Sequence, residues 1–442
     1  MIRVAALLCS ALLILAAPVV GQQPATPPGP QGPLTLLEAI RLGRQRGVQA
    51  TLARINARIA NERTGERRAD ILPTINGTAA YSRQTQNLRE FGLDIPGLPA
   101  KTPDFSLWRF RLGATQTLFD ASIFARLRAA RDSAAAAGFD AQVVGEIAGA
   151  TAGLAYLQVQ SAQETVKARE ADSVVAATLL DQARQLVAAG VSPSIDATRS
   201  EVSFQAVRTQ LEVARNALDR SRLDLLRSLD LAPGTKLELA DSLGLGAVDL
   251  PLDPDTAGAY ARSHRVELAA ERKRTEALRR SASAVRAENL PSVGASGYYQ
   301  QTAPSFSDLT GTYQVLVGVN VPILDGLRRQ ARAGEADARV DAQQIHEGDV
   351  GNQVETEARQ SVLDVASARQ RVAIAQDQLR LAEQELDEAD QRFRAGVAGS
   401  VETTNAQSSV IAGRDALIQA RVNYGSARVS AYRALGIIDQ LQ

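Results

Sequence analysis

The chain has 442 residues, and its 49 basic side chains balance its 49 acidic ones, so its formal net charge is zero. Proteins that bind nucleic acid carry a basic excess to meet the phosphates, so we expect no nucleic-acid partner. The only cysteine, Cys9, and the only methionine, Met1, lie in the first residues. Without them no sulfur ligand remains, and no nucleophile–base set is visible, so we expect no cofactor, no metal site and no enzymatic activity.

The first segment, residues 1–21, is typical of an export signal. Arg3 supplies the positive start, an apolar stretch follows, and Val19-Val20-Gly21 offers a small-residue cleavage site. The apolar stretch of about 14 residues is too short for a transmembrane helix, which needs ~20. A flexible proline-rich stretch follows at 22–33. No later segment is long and apolar enough, so we expect an exported protein that is soluble in the periplasm or crosses a membrane as strands.

The remaining chain contains an internal repeat. The segment Ala69–Pro73 recurs as Ala287–Pro291, 218 residues later, and Ala189–Val191 recurs as Ala395–Val397, 206 residues later. The first copy has about 13 extra residues between its two strands, as a surface loop tolerates. We predict a first repeat at 34–231, a linker at 232–262, a second repeat at 263–437 and a short tail at 438–442.

Each repeat is predicted to hold two strands, at about 74–83 and 107–118 and at about 292–301 and 312–322. Runs of about ten residues with alternating side chains are long enough for tilted strands to cross a bilayer. The alternation predicts a lipid-facing set of Trp108, Phe110, Leu112, Tyr313, Val315, Val317 and Val319. If that face meets lipid, the other face lines a lumen with Arg109, Arg111, Gln314 and Asn320. A soluble hairpin with one buried face is the alternative.

Two long helices follow each strand pair, at about 120–189 and 194–229 and at about 326–395 and 400–435. A helix of roughly 70 residues is ~105 Å long. Asp120 and Asp325 are expected to cap the first helix of each pair. Apolar residues spaced by three and four from Val365 to Phe393 predict a coiled-coil seam, which Arg169 and Ser173 interrupt in the first repeat.

Several motifs together carry a family resemblance. They are Leu72-Pro73 and Leu290-Pro291 before the strands, Thr117–Asp120 and Val321–Gly326 after them, and the helix tips Ala189–Asp196 and Ala395–Glu402. In this order and spacing they resemble the TolC-like outer-membrane factor (outer membrane efflux protein) family over nearly all of the chain. Arg265–Leu268 is similar to the family's Arg-Pro-Asp-Leu signal, with Val266 in place of proline.

The resemblance implies a mainly α-helical protein with membrane β-strands, each protomer a tandem structural repeat. Three protomers would form a 12-stranded β-barrel continued by a 12-helix coiled-coil α-barrel, since four strands cannot close in a bilayer alone. It implies the channel component of a tripartite efflux or type I secretion system, in the outer membrane of a Gram-negative-type bacterium with its tunnel in the periplasm. The implied partners are two further copies, a periplasmic adaptor, an inner-membrane pump of RND or ABC type, and outer-membrane lipid.

The helix tips would then form the periplasmic entrance. The resemblance puts Glu402 where many relatives carry an aspartate that rings this entrance, and three copies would favour cations. Alternatively, Ser400 caps the helix and Glu402 is simply favoured in its first turn. Asn405 stands where some relatives carry a second acid, and Asp196 is either the counterpart of Glu402 or a helix-start residue.

The turns themselves match the family's adaptor-docking tips. The matching residues are Gly190, Val191, Ser192, Gly396, Val397 and Ala398. Their alternative role is a tight helical turn in which the two glycines form left-handed caps.

For the whole chain the alternative is a periplasmic adaptor-type coiled-coil protein. Adaptors resemble one hairpin flanked by many strands, whereas this sequence predicts two hairpins and two strand pairs. Drug efflux and protein secretion both remain open.

Overall fold

The computed structural model describes residues 32–87, 99–241, 253–305 and 308–441. The expected export signal at 1–21 and nearly all of the proline-rich stretch at 22–33 lie outside the described residues. So do parts of the long loop of the first repeat and of the linker at 232–262.

The described chain is mainly helical, with a small sheet. Its elements are α1 (Leu36–Arg46), α2 (Val48–Ala69), β1 (Thr74–Gln84), β2 (Phe105–Phe119), α3 (Ala121–Ala188), α4 (Ser194–Ser228), α5 (Pro254–His264), α6 (Val266–Ala287), β3 (Ser292–Ala303), β4 (Thr310–Asn320), α7 (Arg328–Arg394) and α8 (Ser400–Ala434). The helices α3 and α7 have 68 and 67 residues, so each is about 100 Å long. Within the described ranges, no helix combines the length and apolar character that a bilayer span requires.

The two long helices begin differently. Asp120 caps α3 as predicted, because its Oδ1 accepts a hydrogen bond from the Ser122 amide at 2.8 Å. The prediction for Asp325 was wrong: α7 begins at Arg328, and its N-cap residue is Leu327. Gly326 and Leu327 both have left-handed φ angles, 69° and 66°, which turn the chain between strand and helix. Asp325 therefore precedes the cap, although its Oδ2 still accepts from the Arg329 amide at 3.2 Å.

The four strands form one antiparallel sheet in the order β1-β2-β3-β4, so β1 and β4 are its edges. Directly opposed residues share a face of a sheet. Trp108 is opposite Tyr81, and Tyr299 lies between Leu112 and Tyr313. The register puts the whole predicted apolar set on one face and Arg109, Arg111, Gln314 and Asn320 on the other.

The helices pack side by side as a single layer. Near the sheet, α2 packs against α3, α3 against α6, and α6 against α7. Farther from the sheet, α4 packs against α3, α3 against α8, and α8 against α7. The predicted seam of α7 is buried at Ala368, Val372, Ala375, Ala382, Ala389 and Phe393. One side of the protomer is therefore formed by β1, α2 and α4, and the other by β4 and α7.

Outside this layer, α1 and the segment at Leu34 pack against the middle of α3, and α5 packs against α7. Tyr156 on α3 is fully buried, and its hydroxyl donates to the Leu34 carbonyl at 2.9 Å. Burial raises the pKa of Tyr156, so the phenol stays protonated. Gly149 and Gly153 let α1 approach closely, since a Cβ at either position would meet Ile40 at 2.9 Å.

Arg265 joins three helices at the start of α6. Its guanidinium donates to Glu267 at 2.8 Å, to Glu357 of α7 at 3.1 Å and to the Ala434 carbonyl at the end of α8 at 3.1 Å. Burial alone would lower the pKa of Arg265. The hydrogen bonds and the negative charges of Glu267 and Glu357 have the larger combined effect, so the pKa of Arg265 is raised. The arginine of the recognised motif is thus a structural connection.

We expect Arg265→Met to destabilise the helical layer, because removing one partner of a buried ion pair costs about 3–5 kcal/mol. Thermal unfolding followed by circular dichroism would measure the loss. The control is Arg222→Met on α4, whose ion pair with Asp219 is exposed and should be worth less than ~1 kcal/mol. Equal unfolding midpoints for the two variants would contradict the role given to Arg265.

Candidate functional site at the helix tips

The two hairpin turns lie at the end of the helices farthest from the sheet. One joins α3 to α4 and the other joins α7 to α8. Each turn closes in the same way: Gly190 and Gly396 have left-handed φ angles of 75° and 69°. The Val191 amide donates to the Leu186 carbonyl at 2.9 Å, and the Val397 amide donates to the Arg392 carbonyl at 3.0 Å. These bonds are the Schellman motif, so glycine is required by the turn itself.

The residues beside these glycines include exposed apolar side chains. Val191, Ile195, Val397 and Val401 are all exposed at the tips. Ser192 and Ala398 are half-buried. The two tips also adjoin, because a Cβ added at Gly396 would lie 3.5 Å from Cγ1 of Val191. The structure therefore brings the six predicted tip residues together in one small surface.

Asp196 connects the two hairpins. It lies in the first turn of α4, is 6% exposed, and accepts a hydrogen bond from the Ser400 hydroxyl at 2.7 Å. The expectation that Ser400 caps α8 was wrong, because Gly399 is the N-cap residue and has no side chain to bond. The Ser400 hydroxyl instead satisfies a buried carboxylate of the neighbouring hairpin.

Glu402 lies in the first turn of α8, with its side chain 41% exposed. Its Oε1 is 3.4 Å from Nη1 of Arg392, in the last turn of α7. Arg392 was not predicted from the sequence as part of this surface. Asn405 is exposed one turn farther along α8. Glu402 and Asn405 therefore share the accessible part of this surface, while Asp196 is buried.

A buried charged cluster that the sequence did not predict lies between α3 and α8. Arg169 of α3 pairs with Asp172 at 2.8 Å and with Asp415 of α8, and Arg414 of α8 pairs with Asp172. Arg169 and Asp172 are 6% and 2% exposed. The sequence feature that points to this cluster is Arg169, a charged residue that interrupts the apolar seam of α3. Opposite charges on the two hairpins pair with each other, and these pairs fix the position of one hairpin relative to the other.

The predicted lumen residues lie in the sheet, at the opposite end of the long helices. Arg111 stacks on the ring of Tyr298, with the guanidinium carbon 3.8 Å from the ring centroid. Tyr298 pairs with Gln314 in the register, so these groups share the polar face. The sheet and the tips are separate regions, joined by about 100 Å of helix.

Comparison with known proteins identifies the family. Residues 41–230 and 259–437 match the family described as outer membrane efflux protein, which covers most of the chain and both repeats. The chain belongs to this family. Its place is therefore the outer membrane, its fold is that of channel proteins, and the adaptor alternative does not agree with the membership.

Individual relatives of this efflux-family chain are distant. It is 23% identical over 285 residues to the outer membrane efflux protein BepC of Brucella suis, a match that spans 64% of this chain and 61% of that protein. Its fold resembles the Campylobacter jejuni CmeC outer membrane channel, with a TM-score of 0.78, 14% identity and coverage of 92% and 87% of the two chains. The outer membrane protein VceC of Vibrio cholerae has a TM-score of 0.75, 16% identity and coverage of 91% and 96%.

We expect Arg169→Met to loosen the two hairpins from each other, because Asp415 loses its partner and buried Asp172 keeps only Arg414. Amide hydrogen exchange should become faster around residues 165–180 and 410–418, and should stay unchanged in the sheet. The control is Arg215→Met, which removes an exposed pair with Glu170 at the same level of α3. Identical exchange in both variants would show that the cluster does not hold the hairpins together.

Proposed function

We propose that this protein is the passive outer-membrane duct of a tripartite efflux system, formed by three copies of the chain. The observation that carries the proposal is the pair of open sides of the protomer. Edge strand β1 lies on the same side as α2 and α4, and edge strand β4 lies on the same side as α7. Two different, complementary sides generate a closed ring by head-to-tail association. Three copies of the four strands make a 12-stranded barrel.

The sheet supports the membrane part of this proposal. One face carries aliphatic and aromatic side chains, and several of them are exposed in the protomer, including Tyr313, Val315 and Val317. The aromatic residues Tyr81, Trp108 and Tyr299 gather toward the strand ends far from the helices, as in the aromatic girdle of membrane barrels. We infer that this face meets lipid and that the face with Arg109, Arg111, Gln314 and Asn320 lines the lumen.

The helices support a wide tunnel. Four helices side by side in each copy would give 12 in the ring, and packing at ~10 Å separation gives a ring about 38 Å across between axes. Side chains reduce this width, but the remaining channel admits small molecules and extended polypeptide. We infer that the tunnel runs through the periplasm, away from the barrel.

The tips support the docking of a partner. The exposed apolar groups Val191, Ile195, Val397 and Val401 lie at the membrane-distal end, where a periplasmic adaptor would meet the duct. A contiguous exposed apolar patch marks an interaction site. In this proposal the duct is passive, and an inner-membrane pump of RND or ABC type drives transport through the adaptor. We propose efflux rather than type I secretion because the matching family and the relative BepC are described as outer membrane efflux proteins.

Deletion of the gene in its host tests the function directly. Loss of the duct should make cells more sensitive to a panel of drugs, dyes and metals, and the wild-type gene on a plasmid should restore resistance. A type I secretion role would instead appear as the loss of a secreted protein from the medium. No change in either assay would contradict the proposed function.

We expect Val317→Arg to reduce assembly of the barrel, because a charge on the lipid face at mid-membrane costs about 2–4 kcal/mol. Gly318→Ser is the matched control on the other face, and a Cβ there would meet no atom within 4 Å. Recovery of heat-resistant trimer from outer membranes measures the effect. Equal recovery of the two variants would contradict the assigned faces.

We expect Glu402→Gln to lower, and Arg392→Gln to raise, the preference of the channel for cations. The two side chains are 3.4 Å apart, so removing either one leaves the charge of the other uncompensated near the proposed entrance. Reversal potentials in planar bilayers under a salt gradient would measure both shifts. If neither variant changes selectivity in a properly assembled trimer, Glu402 only supports the start of its helix and is not part of the entrance.

A further inference from the structure

The two repeats place the same helices at the same intervals. Helices α1 and α5 both have 11 residues, and α2 and α6 both have 22. Val48 opens α2 and Val266 opens α6, so these helices correspond at an offset of 218 residues. Gly190 and Gly396 at the tips give an offset of 206 residues for α3 and α7. Each residue of one repeat can therefore be compared with its counterpart in the other.

Each repeat has a cleft at the corresponding place. The first lies between α1, α2 and α3 and has a volume of about 620 Å³. The second lies between α5, α6 and α7 and has a volume of about 370 Å³. Sites for small ligands have volumes of ~300–1,000 Å³. Every described residue that lines the second cleft is the counterpart of one that lines the first; the pairs include Arg44 with Arg262, Arg54 with Arg272, and Gly145 with Gly351.

In each cleft an arginine lies across a glycine of the long helix. A Cβ at Gly145 would lie 3.4 Å from Cγ of Arg44, and a Cβ at Gly351 would lie 3.7 Å from Nη2 of Arg262. Arg44 pairs with Asp439, and Arg262 pairs with Glu355 at 3.0 Å. The same local contact is thus formed twice, although the acids that pair with the two arginines differ.

The other arginines of the clefts have donor groups available. Arg41 and Arg58 in the first cleft, and Arg272 and Arg279 in the second, are exposed. Within the described ranges none of these four side chains has an ion pair or a hydrogen bond. Each cleft therefore presents at least two guanidinium groups that can bind a ligand.

The linings carry an excess of positive charge in a chain whose net charge is zero. The first cleft is lined by four arginines and one acid, Asp439, which already pairs with Arg44. The second is lined by three arginines and one acid, Glu347, whose Oε2 accepts a hydrogen bond from the Thr275 hydroxyl at 2.6 Å. Guanidinium groups bind carboxylate and phosphate through two parallel hydrogen bonds, so the available donors match an oxyanion.

The two clefts lie at one height in the protomer. The first includes residues between 138 and 145 of α3, and the second includes residues between 268 and 279 of α6. Asp140 of α3 pairs with Arg274 of α6 at 2.6 Å, so these two segments are level with each other. Because α3 and α6 are neighbours, the clefts are two helix spacings apart, which is about 20 Å. One acidic chain can reach both clefts at this separation.

We propose that each cleft binds a phosphate or carboxylate group of an anionic ligand. Arg41 and Arg58 hold the group in the first cleft, with Arg54 beside them, and Arg272 and Arg279 hold it in the second. The same chemistry serves a free oxyanion and an acidic polymer, which differ in whether one molecule uses both clefts. Both clefts are formed within one copy of the chain, so this binding does not depend on the duct.

Isothermal titration calorimetry of the full-length protein in detergent at low salt tests the two sites. Inorganic phosphate and, separately, citrate are the probes, and at least one of them should bind saturably at two sites per chain. Arg58→Gln should weaken binding at the first cleft about tenfold, and Arg272→Gln should do so at the second, because each removes a charge-assisted hydrogen bond to the anion.

The matched control is Arg220→Gln. Arg220 is an exposed arginine of α4 that lines neither cleft and has no ion pair in the described part of the chain, so this change removes the same charge and should leave both sites intact. Without ligand, all three variants should unfold at the wild-type temperature, since none loses a partner. Ligand should raise the unfolding midpoint of the wild type and of Arg220→Gln, and should have little effect on the double variant of Arg58 and Arg272.

Long-chain polyphosphate distinguishes the two sources of the anionic group. A polymer that uses both clefts should bind about 100-fold more tightly than inorganic phosphate, and either single variant should remove that gain. Equal affinity of the polymer and the free anion for each cleft would assign the clefts to a free oxyanion. Absence of saturable binding with all three probes, or equal weakening by Arg220→Gln, would overturn the proposal. Either result would leave the duct function, which gene deletion tests, intact.

Discussion

A backbone amide or carbonyl that has no hydrogen-bond partner is costly in the hydrocarbon of a membrane, and this constraint governs the whole architecture. The sheet of this protein has four strands, with β1 and β4 left open at its edges. In the proposed duct a sheet of that size cannot curl onto itself, so its edges would pair with strands of other copies. In that proposal the helices follow from the same requirement, because α2 and α7 adjoin the two edge strands and stand at the two open sides of the protomer.

Long helices that stand in a single layer need a packing rule different from that of a globular core. Alanine, glycine and serine occupy many of the buried positions, and large residues such as Tyr156 and Phe393 are widely spaced. Small residues allow helix axes to approach and give each contact little apolar area. Charges supply the remaining specificity: Arg265 ties three helices together, and Arg169 with Asp172 joins the two hairpins.

Periodic features could be predicted from the sequence, and contacts between distant segments could not. The period of two put Trp108 and Tyr313 on one face, and the strand register agrees. The cap at Asp120 follows from local chemistry, but the same argument gave a wrong result at Asp325, because Gly326 and Leu327 insert a left-handed turn before α7. Ser400 was expected to bond locally and instead reaches Asp196, 204 positions away in sequence. That hydrogen bond forms because the two hairpins lie side by side, and no short-range sequence pattern predicts it.

The tips combine rigid turns with paired charges, and this limits how the proposed entrance can work. The Schellman bonds at Gly190 and Gly396 and the buried Asp196–Ser400 bond hold both turns in one shape. A change in the width of the entrance would therefore come from movement of whole hairpins, with their tips staying intact. In the protomer the Glu402 carboxylate lies 3.4 Å from the Arg392 guanidinium. Its field at the proposed entrance is thus that of a pair of opposite charges, which falls off faster with distance than the field of a lone carboxylate.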